Sequence, residues 1–179
     1  MHKELWQVFH QNGEPIPDGG HPISYFDETT PRPISADAQI WLYCDRPTGR
    51  ELLFQLRSKK VRSGNLWDVS AGGHIDYGET RLDTAVRETR EELGVKVDPT
   101  KLQYIFSCHR PGHRHIHNVF LYDFSSHPDT FTPDKNEVAD LKWVPLSSLD
   151  DFLASGVVKP NLATFDWYWQ FLKLHLEAQ

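Results

Sequence analysis

Two cysteines in 179 residues, Cys44 and Cys108, are too few for a disulfide framework, and a chain of this length does not need one. Each closes an apolar run of β character, where a small buried thiol is expected. An excess of positive charge is also missing. The 19 Lys and Arg stand against 25 Asp and Glu, a formal charge of −6, which excludes general nucleic-acid binding and an anionic-membrane surface but allows a local basic patch. No apolar run approaches the roughly 18 residues of a membrane span, and the opening residues carry an acid before any apolar stretch develops. The expected location is therefore the cytoplasm, with no membrane partner. Repeats and low-complexity segments are absent too. What is present is a 39% hydrophobic fraction, enough for a sizeable core, and a length that implies one domain spanning residues 1–179.

Along the chain, residues 4–10 read as a strand closed by the Asn12-Gly13 turn signal. Seven Pro and Gly residues between Pro15 and Pro33 then predict an irregular excursion over 14–34. Strands at 36–44 and 51–57, separated by a turn containing Pro47 and Gly49, predict a hairpin. A strand at 66–71 runs into Gly72-Gly73, and the period then changes: positions 82, 85, 86, 89 and 93 have helical spacing. Thr80 and Asp83 are placed as a capping box, and Gly94 as a stop. Further strands are expected at 101–108, 115–124 and 137–144, then a short helix near 147–154 and a C-terminal helix over 162–176. That last helix carries the apolar stripe Leu162, Phe165, Trp169, Leu172 and Leu176. Helices interspersed among short strands predict an α/β or α+β sandwich.

Glu88, Glu91 and Glu92 stand at i, i+3 and i+4, and so share one helix face within an arc of about 100°. Like charges at this spacing destabilise an isolated helix, and Arg81 offers that side at most one compensating charge. A solvated acidic surface is the bland explanation of such a run. The chemical one is a cation: three carboxylates are hard oxygen ligands suited to Mg²⁺ or Mn²⁺, leaving positions for waters and substrate phosphates.

The surrounding run Gly73 to Val95, GHIDYGETRLDTAVRETREELGV, resembles the signature of the Nudix hydrolases. Gly73, Glu79, Arg87, Glu88, Glu91, Glu92 and Gly94 match by identity and Val95 by class, while Thr89 departs from the pattern. Seven identities at fixed spacing arise by chance on the order of 10⁻⁹ per window. The resemblance extends less specifically over residues 4–150, toward the branch that includes isopentenyl-diphosphate isomerase, on the leading ELWQVF, the LWDVSAGGH run, Glu137-Val138 and Lys142-Trp143. The isomerase's catalytic cysteine is replaced here by Gly72, which removes one of its two acid/base partners.

The resemblance implies a mixed sheet sandwiched between helices and divalent-metal hydrolysis of a diphosphate linkage in a nucleoside diphosphate derivative or similar molecule. It implies metal ligation by Glu88, Glu91 and Glu92, with Gly72-Gly73 as a close turn that exposes a carbonyl, that of Gly72, to the ion. Arg87 is expected to hold the returning Glu79 by ion pairing, and Thr89 to pack toward the sheet with its hydroxyl on a backbone partner. Glu88 or a later carboxylate, for which Glu137 is the candidate, would be the general base. Arg57 and Lys60, from a cationic stretch before Trp67, are candidates to grip phosphates; the alternative is a charged, solvated loop. Trp67 and Trp143 are read first as core and second as pocket walls. His74 is placed over the site. His109, His113, His115 and His117 cluster, and the last three share a strand face: contact with a phosphate or base, a zinc site, or an outward polar face are the readings, and the lack of paired cysteines weighs against zinc. A non-catalytic binding domain is the alternative function. A homodimer through the N-terminal strand or C-terminal helix is compatible with the chain.

Overall fold

The computed structural model describes residues 5–29, 31–109 and 112–178. A hairpin of β1 (Leu5–Phe9) and β2 (Pro15–Pro22) leads into the short helix α1 (Ile23–Glu28). Residue 4, included in the first expected strand, lies outside the described residues. The irregular excursion expected at 14–34 is corrected by β2 and α1. Proline is tolerated in β2 because this strand pairs with β1 alone, in antiparallel register with an irregularity between Gln7 and Phe9, so missing N–H donors cost no second ladder.

The main sheet has seven strands. Its path is β5 (Trp67–Asp68), β4 (Gly49–Arg57), β3 (Ser35–Arg46), β8 (His115–Asp123) and β7 (Gln103–Cys108), with β6 (Ala71–His74) also paired to β3 and β9 (Val138–Pro145) to β4. The β3–β8 pair is parallel and the other pairs are antiparallel, so the sheet is mixed. The hairpin expected around Pro47 is β3–β4. The single strand expected at 66–71 is two, β5 and β6, because Ser70 turns inward to accept from Leu42 N and donate to Leu53 O, 2.9 and 2.6 Å away. Gly72-Gly73, expected as a turn, lies within β6, opposite Gln39 and Ala38.

Strand alternation divides the core. Trp41, Tyr43, Leu52, Phe54, Val119 and Leu121 face one way, onto α3 (Leu149–Ala154), α4 (Pro160–Ala163) and α5 (Asp166–Glu177). Ile40, Leu42, Leu53, Phe120 and Tyr122 face the other, with Ala85 and Leu93 of α2 (Arg81–Leu93). The sheet is thus sandwiched between helices. The single C-terminal helix expected over 162–176 is broken at Thr164-Phe165, where Phe165 leaves helical geometry (φ −100°, ψ 68°). All five residues of its apolar stripe are nevertheless buried. Cys44 and Cys108 are buried thiols, as expected. Among the described residues no helix is long and apolar enough to cross a membrane.

Candidate active site

Helix α2 begins and ends where its sequence dictates. Thr80 Oγ1 accepts from Asp83 N at 3.1 Å and Asp83 Oδ2 accepts from Thr80 N at 3.0 Å, completing the capping box. Gly94 closes the helix in the left-handed region at φ 71°, where glycine carries no Cβ penalty. Thr89 is fully buried toward the sheet and its hydroxyl donates to Ala85 O at 2.8 Å, so the residue that departs from the motif is accommodated as anticipated.

The acidic face of α2 meets the β6 edge. Glu92 is 4% exposed, and its Oε2 accepts from Gly72 N at 2.9 Å and from Gln55 Nε2 at 3.0 Å. Glu88 lies against Gly73 so closely that a Cβ there would sit 2.0 Å from Glu88 Oε1; a Cβ on Gly72 would meet Ala38 O at 2.7 Å. The glycine pair therefore serves close approach rather than a turn. Gly73→Ala is expected to displace Glu88, weakening Mg²⁺ binding in calorimetry and costing about 1–3 kcal/mol in urea denaturation; unchanged binding and stability would show that the carboxylate has room elsewhere.

Arg87 is the electrostatic centre of the loop–helix unit. Its Nε and Nη2 donate to Glu79 at 2.9 and 3.0 Å, and Nη1 donates to Glu88 at 2.7 Å and Glu91 at 3.2 Å. Asp76 lies 3.7 Å from Nη2. The expected grip on Glu79 is present, but Arg87 also compensates the acidic face, for which Arg81 is read in the sequence as offering at most one charge. Arg81 instead stacks over the Tyr104 ring at 4.2 Å. Burial opposes charge on Arg87, yet Glu79 and Glu88 hold its pKa above the ordinary arginine value. Burial likewise works against ionised Glu79, and Arg87 and Thr84 reverse it, leaving its pKa lowered.

One cavity of about 410 Å³ collects Glu88, Glu91, Glu92 and Glu137 with Arg57, Arg87, Asp76, His74 and the two glycines. Burial, reinforced by mutual repulsion, pushes Glu88 up to about 7 and Glu92 up to about 8. Such a cluster is short of positive charge. The donor set, carboxylate oxygens in a cradle that a single Cβ would fill, fits a hard divalent cation.

Glu137 reaches the cavity from the turn before β9, because the β4–β9 register sets Val138 against Arg57. Arg57 lines the cavity with its guanidinium 3.4 Å from Asp68 Oδ2. His74 stacks on Trp6 with centroids 3.4 Å apart, and burial together with His115 lowers its pKa to about 3. Two candidates lie elsewhere. Lys60 Nζ donates to Asn136 at 2.7 Å on the surface, and Trp67 packs against the core beside Phe152, the first of its two readings. Trp143 is likewise packed against core, beside Phe131. Gln55 and Asp76 are site residues that the sequence reading lacks; the signal for Gln55 is a lone amide within the otherwise apolar run Leu52–Leu56.

A family model of the NUDIX domain matches residues 37–168. The chain belongs to the Nudix family. It is similar to Nudix hydrolase 3 of Arabidopsis thaliana, 36% identical over 146 residues, covering 75% of this chain and 18% of that protein. It is also similar to an isopentenyl-diphosphate Delta-isomerase of Cutibacterium acnes, 27% identical over 117 residues, 60% of this chain and 59% of the other. The chain therefore spans less than two thirds of either relative. Among solved structures, DR0079 of Deinococcus radiodurans superposes with a TM-score of 0.70 at 23% identity, covering 89% of this chain and 95% of that one, which shows the shared fold. The Nudix signature runs from the end of β6 through the following loop and α2, and of its acids Glu88, Glu91 and Glu92 line the cavity while Glu79 is held beside it by Arg87.

Proposed function

We propose that this Nudix domain hydrolyses a diphosphate linkage in a small organic molecule, a nucleoside diphosphate derivative or a compound of similar charge, with Mg²⁺ or Mn²⁺. The observation that carries the reading is the convergence of four glutamates from two elements on one cavity shared with Arg57. Glu88, Glu91 and Glu92, with the Gly72 carbonyl, would hold the cation. Bound there, it would screen the diphosphate charge that repels a nucleophile and acidify a water. Glu137 faces the cavity from a different element than the ligand set, and we assign it the base that accepts the proton of the attacking water. Glu88 is the second candidate, but its Oε1 is already engaged by Arg87 at 2.7 Å.

Arg57 and His74 border both this cavity and a second one on the other side of the sheet edge. We place Arg57 against a substrate phosphate and His74, uncharged, as a packed wall beside it. Lys60 and Trp67 have no part in this reading. Arg57→Ala is expected to raise KM about 10- to 100-fold with a smaller change in kcat; a KM that stays put removes Arg57 from the binding site. Glu137→Gln is expected to lower kcat about 10²- to 10⁴-fold.

The direct test is release of phosphate or nucleotide from a panel of nucleoside diphosphate derivatives, isoprenoid diphosphates and coenzyme A in Mg²⁺. Turnover dependent on the cation supports the proposal. A panel-wide blank, with ligand binding retained, supports the non-catalytic domain instead. Two buried thiols, Cys44 and Cys108, support a reducing, cytoplasmic location. A homodimer on α5 is supported by Trp167, Phe171 and Leu174, which are exposed on that helix.

A further inference from the structure

The signature does not use the histidines of β8. Alternation along β3 and β8 directs Asp37, Gln39, His115 and His117 to the side of the C-terminal helices, opposite the face that packs on α2. Parallel pairing sets Asp37 against His117 and Ser35 against His115. A carboxylate on one strand is thereby flanked by two imidazoles from i and i+2 of the next.

Both imidazoles converge on the same oxygen. His117 Nδ1 lies 2.9 Å and His115 Nε2 3.1 Å from Asp37 Oδ2, and one ligand atom from each of the three residues lies within 4.8 Å of the others. The second nitrogen of His115 is 2.7 Å from Ser35 Oγ, the kind of outer contact that orients a metal-bound imidazole. Asp37 is steadied from the core: Trp41 Nε1 donates to Tyr168 OH at 2.7 Å, Tyr168 OH donates to Gln39 Oε1 at 3.0 Å, and Gln39 Nε2 donates to Asp37 Oδ2 at 3.2 Å. The three side chains line a cavity of about 640 Å³ that Arg57 and Lys159 also border.

We propose that Asp37, His115 and His117 form a second metal site, for a zinc-class divalent ion, separate from the carboxylate site on α2 and open to this cavity. Two imidazole nitrogens and one carboxylate oxygen are a set that late first-row ions prefer, whereas Mg²⁺ prefers oxygen and retained water. Metal–ligand bonds of about 2.0–2.2 Å place ligand atoms roughly 3–3.5 Å apart, close to the 2.9 and 3.1 Å at which the two imidazoles already stand from Asp37. On binding, the N–H···O bonds to Asp37 are replaced by metal–ligand bonds, and the protons on the ligating nitrogens pass to solvent. Three protein ligands leave the remaining coordination to water or substrate. With Arg57 and Lys159 on the same wall, the group that fits there is an anionic oxygen.

The experiment uses the full chain, stripped by chelator and held in excess Mg²⁺ so that the α2 carboxylates are occupied, and titrates Co²⁺ as a visible-absorption probe. One saturable, zinc-displaceable cobalt per chain is expected, retained in Glu92→Gln. It should weaken about 100-fold or more in His115→Gln and in Asp37→Asn, beyond the loss expected from a supporting residue. No cobalt uptake by the wild type, or uptake that both replacements leave intact, overturns the site and reduces the cluster to an Asp–His ion pair. Should the variants not fold, side-chain ¹⁵N NMR of wild-type histidines decides: zinc must shift two imidazoles, and a spectrum without histidine changes refutes the assignment. Hydrolysis in Mg²⁺ alone does not depend on this outcome, so the two proposals fail separately.

Discussion

Glu92→Gln is expected to lower kcat by about 10³-fold while leaving the chain folded, measured as Mg²⁺-dependent turnover beside urea denaturation without metal. The carboxylate is almost wholly buried and held by Gly72 N and Gln55 Nε2 on one oxygen. An amide of the same shape can keep an acceptor there, so packing survives. Its charge does not, and on the proposed ligand role the loss of one anionic group would remove electrostatic stabilisation of the order that a single preorganised group supplies, about 10²- to 10³-fold. The stability change should be small or favourable, because burial and the neighbouring Glu88 already resist ionisation of Glu92. A variant with wild-type turnover would disconnect the buried glutamate from the chemistry and leave the acidic face as mere surface.

Arg87→Ala is expected to cost about 3 kcal/mol in metal-free urea denaturation. Its guanidinium is 22% exposed and serves Glu79, Glu88 and Glu91 at once. Removing it strands several part-buried carboxylates, and breaking a buried pair costs more than the pair contributes over an apolar substitute. Mg²⁺ should recover part of the loss, since a cation among the same acids supplies the missing charge. Arg87→Lys should recover less than a conservative change suggests, because an ammonium cannot reach Glu79 and Glu88 with a planar fork. A loss below about 1 kcal/mol, the range of exposed ion pairs, would show that the loop 75–79 is held by its own turn.

Much of the site was legible along the chain because its acids lie within one helix. Fixed rotation per residue makes Glu88, Glu91 and Glu92 neighbours whatever the rest of the fold does. The capping box at Thr80, the stop at Gly94 and the inward Thr89 are local for the same reason. Glu137 was visible only as a candidate, since its arrival depends on β9 pairing with β4. Arg87 was assigned half of its work: the angle along the helix omits the reach of a long side chain, which lets Nη1 swing back to Glu88 and Glu91. Lys60 is a candidate on charge alone, and which of the loop cations lines the cavity is set by the assembled fold, whereas Trp67 takes the core place that is its first reading.

The sequence by itself determined the hydrolase-type helix, its boundaries, the family to which the chain belongs and the alternation that buries the sheet, all products of local periodicity and spacing. Tertiary structure alone decided that Gly72-Gly73 is a strand packed under Glu88, that Gln55 braces Glu92, and that Asp37 stands between His115 and His117. Those contacts join residues about 15 to 80 positions apart, as with Gly73 to Glu88 and Asp37 to His117. The physical reason is strand register: a shift of one residue sends a side chain to the opposite face, and only the assembled sheet sets which register holds.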